Sequence, residues 1–325
     1  MDSSGRIQRI WYEGAPVPFW LAALEPVYRV LHAATQARRA RDAERVGVPV
    51  VVVGNVVAGG AGKTPLVIAL VEALRARGFA PGVASRGYGG RERGPLRLGA
   101  TPDPVRVGDE PTLIRRRTGA EVAIGRDRVA AARLLVASGV DVVVADDGLQ
   151  NPRLARDVEI CVIDGERRFG NGRMLPAGPL RDPPQRLARV DFTVLNGGQP
   201  REGEVPMRLI GESAVPLAGD TAPLPLAAFA GRRVHAVAGI GNPDRFFSAL
   251  RAHGIEVVAH PFPDHHACAA SDFAFGDDAP VLMTEKDAVK CIAFADTRMW
   301  HVPVRAELPE CFFDAVAARI GAAAG

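Results

Sequence analysis

The sequence predicts an α/β protein: a doubly wound, mostly parallel sheet, joined by a Pro-rich linker to a second, smaller α/β domain. Two observations carry that expectation. Short apolar, β-branched runs at residues 50–53, 122–124, 140–144, 158–163 and 192–195 alternate with helical patterns, as parallel strands buried between helix layers require. Then Pro200, Pro206, Pro216, Pro223 and Pro225 break every stripe, and strand, turn and helix begin afresh at Arg233. The expected divisions are an N-terminal amphipathic segment at 1–45, a first α/β domain at 46–198, a linker with room for a hairpin at 199–228, and a second α/β domain at 229–325.

Composition bounds the function classes. At 325 residues, 47% hydrophobic and 24% charged, the chain is long enough for two cores and too apolar for disorder. A net charge of +3 gives no broad basic field, which argues against a nucleic-acid partner. Cys161, Cys268, Cys291 and Cys311 lie far apart without a C-x-x-C pair and read as reduced, buried thiols. The first residues lack a signal peptide's apolar core, and no charge-free window approaches eighteen apolar residues, so neither secretion nor a membrane span is expected.

In chain order, residues 1–45 come first, with Trp11, Phe19, Trp20, Leu21, Leu24, Tyr28 and Leu31 followed by a basic end at Arg38, Arg39, Arg41 and Arg45. Such a helix suits a membrane interface or the surface of its own domain, and its residues alone leave both open. Pro26 is expected to bend it.

The apolar run at 50–53 then enters Gly54-Asn55-Val56-Val57-Ala58-Gly59-Gly60-Ala61-Gly62-Lys63-Thr64-Pro65, and a helical pattern opens at Thr64. Strand, glycine-rich turn and helix start make a phosphate cradle from Gly59, Gly60, Ala61 and Gly62. Their backbone N–H groups turn inward around phosphate, Lys63 reaches the β- and γ-phosphates, and the Thr64 hydroxyl holds Mg²⁺. Regular G-x-x-x-x-G-K-[ST] spacing wants glycine at 57, where Val57 stands, so the loop is an atypical Walker A. A variant used by membrane-linked switch ATPases wants lysine at 58, and this chain has Ala58. The sheet is therefore read as the P-loop NTPase type.

A helix stopped by Gly78 leads to a short strand and Ser85-Arg86-Gly87-Tyr88-Gly89-Gly90. Loops after strands face the ligand crevice in open α/β sheets, which makes Arg86 a site candidate. Asp109 and Glu110 open the next helix, where favourable placement at a helix N-terminus is sufficient to explain acids. The apolar run at 140–145 ends in Asp146-Asp147, the Walker B pattern in which an aspartate meets Mg²⁺ directly or through water. A loop at 167–184, dense in Gly and Pro and carrying Asn171, Arg181 and Asp182, has no periodicity and is expected to carry function.

In the second domain, Asn242 is expected to cap a helix that has Pro243 at its first position. Asp244 stands where a dinucleotide fingerprint would need its third glycine, which discounts that reading. His260, His265, His266 and Cys268 lack zinc-site spacing and read as a rigid loop presenting one histidine to a cleft. Lys286, at a helix start, is read as poised for phosphate.

Together these motifs resemble the tetraacyldisaccharide 4'-kinase family of lipid A biosynthesis. The resemblance runs through the glycine-rich loop, Ser85 to Gly90, Gly108-Asp109-Glu110-Pro111, and Asp146-Asp147-Gly148-Leu149-Gln150. It continues through Phe169-Gly170-Asn171-Gly172 with Leu175-Pro176-Ala177-Gly178-Pro179-Leu180-Arg181, and Gly239-Ile240-Gly241-Asn242-Pro243. Phe262-Pro263-Asp264-His265-His266 and Thr284-Glu285-Lys286-Asp287-Ala288-Val289-Lys290 complete it. Asn151 and Asp182 depart from the family's usual His and Glu.

The resemblance implies transfer of the ATP γ-phosphoryl to the 4'-hydroxyl of a tetraacylated glucosamine disaccharide 1-phosphate, yielding lipid IVA. It implies phosphate contacts from Lys63 and Thr64, a metal side at Thr64, Asp146 and Asp147, and substrate contacts from Arg86, Arg181, Asp182 and Asn171, with Arg181 also placed to neutralise charge in the transfer. Asp109 falls in the place of the base and His265 in that of its partner, which makes chemical sense because an imidazole raises or relays a carboxylate's proton affinity. An acylated substrate also implies a peripheral protein on the anionic cytoplasmic face of a Gram-negative inner membrane, with the N-terminal helix at the surface. The rival reading is a membrane-associated switch NTPase, against which Ala58 and the Asp109–His265 pair both count.

Overall fold

The structure is a computed structural model that describes residues 3–324. The chain enters through helices α1 (Ser3–Tyr12) and α2 (Phe19–Arg41). It then alternates through β1 (Val50–Gly54), α3 (Lys63–Ala76), β2 (Pro81–Ser85), β3 (Leu96–Arg97), α4 (Pro104–Val107), α5 (Asp109–Thr118), β4 (Glu121–Ile124), α6 (Arg128–Val136) and β5 (Val142–Asp146). Strands β6 (Val158–Asp164), β7 (Phe192–Asn196) and β8 (Glu204–Ile210) follow. Among the described residues the first sheet is completed by β15 (Arg305–Glu307), in the order β15-β8-β7-β6-β1-β5-β2-β4-β3.

Only the margins of this sheet, β3 against β4 and β15 against β8, are antiparallel. Its central strands are buried on both faces, which is why they read as continuous apolar runs rather than alternating ones. One face packs on α3, α5 and the last helix, α9 (Glu310–Ala324), through Leu66, Leu70, Ile114, Phe312 and Val316. The other face packs on α6 through Val129, Ala132 and Leu135.

The second sheet has the order β10-β9-β14-β13-β11-β12. It comprises β9 (Ser213–Pro216), β10 (Leu224–Pro225), β11 (Arg233–Ala238), β12 (Glu256–Pro261), β13 (Val281–Thr284) and β14 (Met299–Val302). Helices α7 (Pro243–Ala252) and α8 (Glu285–Cys291) follow β11 and β13.

Three findings differ from the sequence expectation. The stretch 199–228 is built into both sheets: β8 extends the first, and the antiparallel pair β9–β10 joins the second. Pro206 lies on the part of β8 that β15 leaves uncovered, so the missing N–H removes no ladder bond there. The chain also returns, since β15 and α9 come after the second sheet but complete the first. Finally, the N-terminal segment is two helices separated by residues 13–18 rather than one, with Pro26 inside α2.

Helix α2 is two-sided. Leu21 and Glu25 are buried beneath it, while Phe19, Trp20, Leu24, Val27, Val30 and Leu31 are exposed on one continuous stripe. No helix among the described residues is long and apolar enough to cross a membrane. Of the four thiols, Cys161 and Cys291 are buried, Cys268 is half-buried and Cys311 is exposed.

The return of α9 is testable. Phe312 packs edge-on against Phe192 of β7, so Phe312→Ala is expected to cost about 3–5 kcal/mol, read as a lowered urea midpoint for unfolding of the first sheet.

Candidate active site

The parallel register of β1 and β5 sets Val53 opposite Asp146, so the turn after β1 and the acids after β5 open at the same sheet end. In that turn Gly59 and Gly62 have φ of +108° and +94°, backbone that a side chain would strain. Val57, in place of the usual glycine, forms an isolated antiparallel bridge with Leu180, and the Ala58 N–H donates to Pro179 O. The atypical residue is therefore extended and braced by the 167–184 loop. Asn55 Nδ2 donates to Gly59 O and Asn196 Nδ2 to Ala61 O, which fixes the loop from both sides.

Lys63 opens α3, and its Nζ lies 3.4 Å from Asp147 Oδ1. Arg181 clasps the same carboxylate at 3.2 and 3.3 Å, while its Nε donates to Val57 O and its Nη2 to Asn55 Oδ1. Burial opposes ionisation of Asp147, but Lys63 and Arg181 outweigh it and hold the carboxyl well below its usual range. Asp147 also has φ +50°, a left-handed conformation costing about 1–3 kcal/mol that the two cations help to hold.

Asp146 is the opposite case. Fully buried, and facing Glu110 and Asp147, its carboxyl is pushed up to about 7. Ser85 Oγ donates to Oδ2 at 3.4 Å, and buried Oδ1 has no partner at all. An orphaned carboxylate oxygen beside Asp147 and the start of α3 at Lys63-Thr64 fits a hard cation, which takes oxygen donors and few protein ligands when phosphates complete its shell. Among the described residues, no group of three or more His, Cys, Asp or Glu converges as a ready-made metal cage.

The second sheet supplies the rest. His265, in the loop after β12 and with φ +62°, places Nδ1 at 3.2 and 3.1 Å from the two oxygens of Asp109 at the start of α5. Burial favours neutral forms of both groups. The hydrogen bond between them outweighs it, raising the His265 imidazole and lowering the Asp109 carboxyl, against the expectation that the imidazole raises the carboxylate's proton affinity, because a ring N–H donor favours the ionised acid; Lys286 lowers both groups. Tyr88 sets its ring edge against His265, 4.7 Å between centroids. His266 pairs instead with Asp272 and His260 with His235, so one histidine of the cluster faces the site.

The remaining predicted residues divide. Asp182 is buried, taking hydrogen bonds from Gln150 Nε2 at 2.6 Å and meeting His32 Nε2 of α2 at 2.6 Å. Arg86 is exposed, and its charge adds to the burial that lowers the pKa of Arg128. The Asn171 amide donates to Ile10 O and Ala177 O and its oxygen accepts from Arg173 N, so it braces the loop against α1. Lys286 differs from the expectation, being enclosed by Glu110, Asp264 and Asp109 rather than open to phosphate.

Sequence reasoning missed the buried Arg128, whose Nη2 donates to Asp146 O at 3.4 Å, and the placing of Glu110 beside Asp146. Their signals were available only as an arginine at a helix start and an acid next to Asp109. His32 carried no signal.

Comparison with known proteins gives the family. The family described as tetraacyldisaccharide-1-P 4'-kinase, LpxK, matches residues 18–321. A tetraacyldisaccharide 4'-kinase of Xanthomonas euvesicatoria pv. vesicatoria is 54% identical, over 93% of this chain and 92% of its own. One of Stenotrophomonas maltophilia is 53% identical, over 95% of each. The crystal structure of LpxK from Aquifex aeolicus in complex with ATP superposes with a TM-score of 0.73 at 26% identity, covering 92% of this chain and 99% of that one. The family match runs from the start of α2 into α9 and so spans both sheets and every loop that meets at the site: the chain belongs to the tetraacyldisaccharide-1-P 4'-kinase family.

Proposed function

We propose that this protein transfers the γ-phosphoryl of ATP to the 4'-hydroxyl of a tetraacylated glucosamine disaccharide 1-phosphate, forming lipid IVA. The observation that carries the reading is the Asp109–His265 pair, assembled from a helix start and a loop far apart in the chain, with Glu110, next to Asp109, close enough to Asp146 to help raise its pKa after burial. A switch NTPase has no use for a base aimed at an alcohol.

The backbone of Gly59, Gly60, Ala61 and Gly62 cradles the phosphates, with Lys63 on the transferred group. Arg181 keeps Asp147 and the loop in register. Asp109 accepts the proton of the attacking hydroxyl, and His265 orients that carboxylate. Arg86 and Asp182 border the place where the acceptor sugar would lie. Thr64, Asp146 and Asp147 would hold Mg²⁺, which supplies charge neutralisation across the phosphates when bound.

The protein is further proposed to work as a peripheral protein on the cytoplasmic face of a Gram-negative inner membrane. The exposed apolar stripe of α2, with Arg38, Arg39 and Arg41 at its end, supports contact with an anionic lipid surface.

Two measurements test this. With labelled ATP, Mg²⁺ and the tetraacyl disaccharide 1-phosphate in mixed micelles, wild type is expected to label the lipid, and Lys63→Ala and Asp109→Ala to lose at least about 100-fold in rate. ATP hydrolysis independent of acceptor, without labelled lipid, would favour the switch reading. In flotation with anionic vesicles, replacing Phe19, Trp20 and Leu24 together by Ser is expected to weaken binding at least about tenfold; unchanged flotation would remove α2 as the anchor.

A further inference from the structure

Lys286 stands at the first turn of α8 with its ammonium buried among groups from both sheets. Its Nζ donates to Asp264 Oδ1 at 3.0 Å and to Glu110 Oε1 at 3.2 Å, and lies 3.9 Å from Asp109 Oδ2 and 3.5 Å from His265 Nε2. A lysine so enclosed by carboxylates is held protonated: burial opposes the charge, but Glu110, Asp109 and Asp264 outweigh it and raise its pKa.

This arrangement constrains the imidazole. His265 Nδ1 faces only the two oxygens of Asp109, and an ionised carboxylate accepts but cannot donate, so Nδ1 carries a hydrogen. The other nitrogen, Nε2, faces the Lys286 ammonium. Asp264 Oδ1 is 3.7 Å from Nε2, beyond hydrogen-bond distance, and is already engaged by Lys286. Among the described residues the other titratable groups around the pair are Tyr88, whose ring edge meets the imidazole, Glu110 on α5 and Lys290 on α8. Lys290 is occupied by Asp287 and by His266 O.

We propose that Lys286 is the positioning residue of the Asp109–His265 pair: 3.5 Å from Nε2 of His265, its ammonium opposes the second proton that Asp109 would otherwise draw onto the imidazole, so the pair holds one hydrogen, on Nδ1, and Asp109 stays an unneutralised base. The inference rests on the reading of Asp109 as the base. In the transfer, the acceptor oxygen–phosphorus bond forms, the bond from the γ-phosphorus to the ADP oxygen breaks, and the hydroxyl proton passes to Asp109. An imidazolium at His265 would reduce the basicity that this last transfer needs. The same ammonium, by spanning Glu110 of α5 and Asp264 of the histidine loop, fixes the distance between the two halves of the pair.

The test is the pH dependence of kcat for lipid phosphorylation by the full-length protein, for wild type, Lys286→Met and Lys286→Arg. Removing a positive charge that lies 3.5 Å from Nε2 is expected to move the acid limb of Lys286→Met upward by about one unit or more. At pH 7 its rate falls about tenfold and at pH 9 recovers to within about threefold of wild type, with the KM for ATP unchanged, while Lys286→Arg returns the limb toward wild type. An equal loss at every pH, or a raised KM for ATP with the limb unmoved, overturns the proposal. Asp109→Ala and His265→Ala are assayed alongside; full activity in both sinks the base reading itself, whatever Lys286 does.

A second measurement covers a Met variant that fails to fold. In ¹⁵N spectra of the unliganded, histidine-labelled wild type at pH 8, with the resonance assigned by its loss in His265→Asn, His265 is expected as the neutral Nδ1–H form. The Nε2–H tautomer, or an imidazolium persisting at that pH, refutes the proposal.

Discussion

The parallel pairing of β1 with β5 is the constraint on which the site depends. Because β1 is flanked by β5 on one side and β6 on the other, the chain runs outward in both directions from it, and the turn after β1 opens where the two runs diverge. That places a glycine-rich loop, a buried acid pair and the N-terminus of α3 within reach of one another. Backbone, carboxylate and helix end then face one place, the arrangement proposed above for the phosphates of ATP.

Concentrating acids at one sheet end has an electrostatic cost, and the structure distributes cations to meet it. Lys63 and Arg181 both go to Asp147, which is left firmly ionised, while Asp146 keeps an unpartnered oxygen and a raised pKa. At the start of α8 Lys286 holds Glu110 and Asp264 and lies 3.9 Å from Asp109. Adjacent aspartates of one motif thus differ in state because their neighbours differ, an outcome that residue type does not decide.

The N-terminal helices are more than an attachment. Tyr28 donates to Arg181 O, His32 meets Asp182, and Glu25 accepts from Met174 N, so α2 grips the same loop that braces Val57 and Asp147. The side of α2 facing the protein holds polar contacts and the opposite side is apolar and exposed, so one helix connects the outer surface to the 167–184 loop. The Gly60–Gly241 approach completes the enclosure: a Cβ on Gly241 would fall 2.5 Å from Gly60 N.

What the sequence by itself determined is local. The strands buried on both faces, the glycine turn at 59–62 and the acids ending β5 were legible because periodicity, φ > 0 tolerance and short motifs depend on neighbours a few residues away. The resemblance to a family added which distant residues belong together, without saying how. Only the tertiary structure decided that Asn171 is a brace, that Lys286 serves acids rather than phosphate, that β8 and β15 complete the first sheet, and that His32 meets Asp182. Those contacts join residues as far apart as Glu110 and Lys286, separated by 176 positions. Their energies depend on burial and on the other charges present, and neither exists until the two sheets have packed.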